Sequence, residues 1–120
     1  MAIVGGTWTY SGDPSADAKD AVRWLVGDTD ASDQLQSDEE ILYAIKLEND
    51  IYKAASLVAA TIGGNFSRQV DKQVGDLKLS YSRRAQAFMA LSDSLTQQAN
   101  ISLTAAAAPY NAALSIGEKK

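Results

Sequence analysis

Asp28, Asp30, Ser32 and Glu39 stand at positions 1, 3, 5 and 12 of an EF-hand-like spacing, with Leu35 at position 8. Oxygen donors in that pattern are what a hard divalent cation such as calcium takes up. Position 6 is Asp33, where the sharp turn of such a loop needs glycine, and no second loop is there to pair with it. A solvated acidic connector or a protein interface is the competing reading. Further on, Asp38-Glu39-Glu40 offers carboxylates, but neighbours at a helix start point in different directions and no complementary acid is supplied. They read as first-turn acids that favour the helix dipole. Gly63-Gly64 has no Lys-Ser/Thr at P-loop spacing and reads as a helix stop.

The chain of 120 residues contains neither histidine nor cysteine. Ser-His-Asp and Cys-His nucleophiles, thiolate or imidazole zinc sites, iron-sulfur clusters and disulfides are therefore excluded. No catalytic residue, cofactor or metal is assigned. With 15 acids against 11 bases the net charge is -4, which argues against broad attraction to nucleic acid. The distribution is uneven. Residues 1 to 40 carry nine acids and two bases, whereas residues 67 to 84 carry five bases and two acids. This basic belt, Arg68, Lys72, Lys78, Arg83 and Arg84, lacks the aromatic interleaving of a stacking platform, for which Tyr81 alone is weak support. Head-to-tail contact between copies would bring the acidic and basic regions together, and merely solvated faces are the plain alternative.

The elements that must position these groups are mainly helical: a single small domain with a bundle of three to four helices, one β-hairpin or extended loop, and flexible arms at residues 1–12 and 100–120. Asp13-Pro14 can open a first helix that Gly27 stops. Its apolar stripe is Ala18, Ala21, Val22, Leu25 and Val26, with Asp17, Lys19, Asp20 and Arg23 facing elsewhere. Ser37 and Glu40 form a capping box for a second helix, whose apolar period runs from Ile41 to about Gly63-Gly64. Asn49-Asp50 is its weakest point, where it can divide in two.

From Val70 to Tyr81 the period changes to alternation, and a turn at Gly75-Asp76 would pair Val74 with Leu77, Lys72 with Leu79 and Val70 with Tyr81. Such a hairpin is marginal alone and must pack on helices or another chain. Ser82 can cap a third long helix with Ala85, Phe88, Met89, Leu95 and Ala99 facing the core up to about Gln98. Arg83 and Arg84 would then sit at the positive end of that helix, which calls for an acidic partner. An Ala-rich tail follows. No apolar run is long enough to span a bilayer, and Met1 to Gly12 has no basic n-region, so a chain that is cytoplasmic when made is expected.

Four ordered segments, Val22-Arg23-Trp24-Leu25-Val26-Gly27-Asp28-Thr29-Asp30, Ser37-Asp38-Glu39-Glu40-Ile41, Val70-Asp71-Lys72-Gln73-Val74-Gly75-Asp76-Leu77 and Ser80-Tyr81-Ser82-Arg83-Arg84-Ala85, together resemble the head-to-tail connector (adaptor, or head completion) family of long-tailed bacteriophages. The resemblance covers about residues 16 to 99. It implies a structural virion protein, assembled in the host cytoplasm, that forms a ring beneath the portal, twelve-fold to match it. Implied partners are the portal protein, a tail-side stopper or tail terminator, and double-stranded DNA that passes through the channel without sequence-specific binding. On this reading Arg68, Val70, Lys72, Val74, Leu77, Leu79, Tyr81, Arg83 and Arg84 meet Asp28, Asp30 and Asp33 of a neighbouring subunit. Pro109, Tyr110, Leu114 and Ile116 of the tail dock on the portal. Calcium binding and small helical DNA-binding or regulatory roles are the competing functions.

Overall fold

The computed structural model describes residues 6–107, with side chains to Ile101. Four helices follow one another: α1 (Ala18–Val26), α2 (Asp38–Glu48), α3 (Ile51–Val70) and α4 (Gly75–Ala107). The fold is thus mainly helical, and there is no strand among the described residues.

Local chemistry sets most of the boundaries. Ser37 and Glu40 make the reciprocal capping box of α2. The division at Asn49-Asp50 is real: Asn49 closes α2 in a left-handed conformation (φ 51°), and the Asp50 carboxylate accepts from the Lys53 amide to open α3. Gly27, with φ 78°, stops α1. The start of α1 differs from expectation, because Asp17 is the N-cap and Asp13 instead closes a turn by accepting from the Ser15 amide and hydroxyl.

Four further expectations are corrected. The β-hairpin over Val70 to Tyr81 does not form: α3 runs to Val70, a short turn follows, and α4 begins at Gly75, whose φ is 63°. Leu77 and Tyr81 are also spaced at i and i+4 and continue into Ala85 and Phe88, so a short alternation lies within a helical period. Ser82 therefore lies inside α4, as do Arg83 and Arg84, and the dipole conflict disappears. Gly63-Gly64 does not stop the second long helix. A side chain at Gly63 would come within 3.2 Å of the Ala85 carbonyl and 3.3 Å of Met89, so glycine here lets α3 and α4 approach closely. Finally, α4 continues to Ala107, so the first residues of the expected tail are helical.

The core centres on α3. Val58, Ile62 and Phe66 of α3 pack with Val22 and Val26 of α1, Leu35 of the connecting loop, Ile41 of α2, and Ala85 and Leu95 of α4. The antiparallel α3–α4 pair is pinned by hydroxyls: Ser56 Oγ donates to the Ser92 carbonyl and Ser92 Oγ to the Ser56 carbonyl, both at 2.9 Å. The result is elongated, 58 × 28 × 23 Å, with the turn between α3 and α4 at one end of the long helix pair. No described helix is long and apolar enough to cross a membrane.

Candidate functional site

Two places in this frame gather the residues that the sequence singles out. The first is a buried charge cluster between α1 and α2. Arg23 belongs to a helix whose other face carries the apolar stripe, yet it is fully buried. Its Nε donates to the Thr9 carbonyl at 2.9 Å, and Nη1 donates to Asp28 Oδ2 at 2.6 Å and to the Gln36 carbonyl at 2.9 Å. Nη2 donates to Asp38 Oδ1 at 2.6 Å, and the Trp8 ring lies 4.6 Å from the guanidinium carbon.

Asp28 is equally buried and has its oxygens committed. Oδ1 accepts from the Leu35 amide and the Trp8 indole, and Oδ2 accepts from the Gln36 amide in addition to Arg23. It thereby ties both ends of the loop that joins α1 to α2. Burial pushes the Asp28 carboxyl above the usual carboxylate value, against these donors, which favour its charged form. At Asp38 burial is outweighed: Arg23 and donors from Thr7 and Thr9 hold its carboxyl far below the usual range. Asp20 is lowered in the same way, with Lys19 and Ser11 prevailing over burial.

The segment before α1 straps this cluster. Thr7 donates through its amide to Glu39 and through its hydroxyl to Asp38 and Glu39, while its carbonyl accepts from the Asp38 amide at 2.7 Å. Thr9 gives both its amide and its hydroxyl to Asp38, and Ser11 gives both to Asp20. The strap thus takes its order from contact with α1 and α2 rather than from any regular element of its own.

The EF-hand spacing consequently does not converge. Asp28 points at an arginine, Asp30 caps the Ser32 amide, and Glu39 binds Thr7. No group of three or more acids that could hold a metal ion occurs among the described residues. With its donors directed at protein acceptors, the cluster is a brace rather than a ligand site.

The second place is the α3–α4 hairpin end. Val74 is 84% exposed, Leu77 48% and Leu79 50%, with Arg68, Lys72, Lys78 and Arg83 exposed around them. Other members of the expected interface are used inside the chain. Tyr81 packs edge-on to Phe66 at 5.4 Å, and Arg84 lies over the same ring at 4.4 Å. Arg84 also pairs with Asp33 at 2.7 Å, so the acidic partner sought for it comes from the same molecule. Asp28 is withdrawn from the surface set because burial leaves it nothing to present. Asp30 is exposed, and Val70 is half-buried. Pro109, Tyr110, Leu114 and Ile116 lie outside the described residues.

Sequence reading missed Arg23, Trp8 and Gln36. The available signal was the Arg23-Trp24-Leu25-Val26-Gly27-Asp28 string, in which a base and an acid flank a helix stop; the third partner, Asp38, is remote in sequence. Comparison with protein-family models, curated proteins and solved structures gives no match.

Proposed function

We propose that this protein is a structural head-to-tail connector subunit. It assembles as a ring beneath a portal, joins capsid to tail, and lets double-stranded DNA slide past an overall acidic surface. The observation that carries this reading is how the four segments of the family resemblance divide. The first two meet in the Arg23–Asp28–Asp38 brace, and the last two make the exposed end of the α3–α4 pair. A subunit with one internally braced region and one end rich in exposed apolar and basic side chains is suited to repeated docking on neighbours. On this reading the partners are further copies of the chain, the portal protein and a tail-side stopper or terminator, and the protein is not an enzyme.

Negative-stain electron microscopy of the protein mixed with portal-containing, tailless capsids tests the reading. Added density confined to the one portal vertex is expected. Folded protein that leaves that vertex bare would overturn it.

A further inference from the structure

Over the middle of α3, between α2 and α4, the surface is concave. One depression of about 360 Å³ is lined by Glu39, Glu40, Tyr43, Leu47, Leu57 and Thr61 among others. A second, of about 430 Å³, shares Leu57 and continues toward Ser92 and Thr96 of α4. Tyr43 is 62% exposed and Leu47 55%. The first depression is therefore an open apolar trough whose charged lining is acidic, with no base among its residues.

The α3–α4 hairpin end carries an excess of the opposite charge: Val74, Leu77 and Leu79 are exposed among Arg68, Lys72, Lys78 and Arg83, which outnumber the exposed acids Asp71 and Asp76. Within one molecule the two cannot meet. Thr61 and Val70 lie on one continuous helix, roughly 14 Å apart at 1.5 Å per residue, and α4 is locked antiparallel to it by the Ser56–Ser92 and Phe66–Tyr81 contacts.

We infer that the trough over α3 receives the α3–α4 hairpin end of a second copy of this chain. Apolar tip meets apolar floor, and the lysines and arginine meet the Glu39–Glu40 rim. Because donor and acceptor surfaces lie at different places on the subunit, the contact is heterologous and propagates head to tail, closing into a ring where the rotation permits. The inference rests on the connector reading and deepens it by naming which surfaces of neighbouring subunits touch.

The absence of native cysteine makes a clean test possible. Val74→Cys and Leu47→Cys, both at exposed positions, are prepared as separate full-length proteins, mixed in equal amounts at low ionic strength and oxidised with glutathione disulfide. Mass spectrometry then sorts the linked dimers. The inferred contact predicts mixed Val74–Leu47 linkages well above the share of about one half that random pairing gives, and a several-fold loss of that excess when Lys78→Glu and Arg83→Glu are added to the Val74→Cys chain. A mixed share at or below the random value, or an excess that ignores the charge reversals, overturns it. Since the test uses free protein, it can fail while density still forms at the portal vertex, which would leave the connector reading standing and remove only this contact.

Discussion

Two regions of this molecule treat their side chains in opposite ways. Where the strap crosses α1 and α2, two cations and three carboxylates are drawn together, and even the indole of Trp8 finds an acceptor. At the α3–α4 hairpin end, 50 residues further along the chain, Val74 is left almost wholly in water and basic side chains surround it without being gathered into a buried network. Buried ion pairs of the first kind contribute little over a well-packed apolar core but are costly to break singly. Exposed apolar groups of the second kind do nothing for the isolated fold. The contrast separates residues that hold the subunit together from residues that are free to hold something else.

Breaking the comparison at its strong end should have the largest effect. Arg23→Ala strands Asp28 and opens the neck of the α1–α2 loop, and a loss of about 3–5 kcal/mol is expected in urea unfolding. The same region governs the acid response. The lowered carboxyls of Asp38 and Asp20 bind protons more readily in the unfolded chain, so their contribution is complete well above the unfolded value of 3.8 and is lost as pH falls through that value toward their folded ones. The raised carboxyl of Asp28 works in the opposite sense, since its protonation favours the folded form. Unfolding midpoints measured from pH 7 down to pH 3 should therefore decline, and Asp38→Asn, already less stable at pH 7, should show a visibly shallower decline.

Smaller effects sharpen the contrast. Trp8→Phe keeps a ring over Arg23 but removes the donor to Asp28, and a cost of about 1–3 kcal/mol is expected by thermal or urea unfolding. Gly63→Val forces a side chain against the Ala85 carbonyl and should cost about 1–3 kcal/mol by overpacking of the α3–α4 seam. At the hairpin end, Val74→Ser combined with Leu79→Gln should leave stability within about 0.5 kcal/mol of the parent chain. Those two substitutions should nevertheless weaken binding at the portal vertex, read as lost density in the capsid assay.

The capping and break signals at Ser37–Glu40, Gly27 and Asn49–Asp50 announced helix boundaries, whereas those at Asp13-Pro14 and Ser82 did not. The sequence misled where two periods coincide. Five residues from Leu77 to Tyr81 alternate as a strand would, yet Leu77, Tyr81, Ala85 and Phe88 also follow a helical stripe, and packing of Tyr81 on Phe66 decides between them. Gly63-Gly64 looked like punctuation because its purpose lies in α4, across the seam. The buried brace was the least legible part, since Arg23 was assigned to the outer face of α1 by residue type. Its burial depends on Trp8, Thr9, Gln36 and Asp38, which no local pattern links to it. Of the candidate interface, the exposed apolar and basic residues near Val74 were visible as a group, whereas the internal use of Tyr81, Arg84 and Asp28 was not.

The division between a braced region and an open hairpin end is tested most directly by amide hydrogen exchange, measured on the free protein and on protein bound to portal-containing capsids. In the free protein the amides of Leu35, Gln36 and Asp38, which donate to Asp28 and to the Thr7 carbonyl, should be among the slowest to exchange, and those of residues 71–80 among the fastest. Binding should then slow residues 71–83 and the trough over α3 while leaving residues 7–35 unchanged. Fast exchange at Leu35 and Gln36 in the free protein, or protection gained on binding chiefly within residues 7–35, would contradict the account.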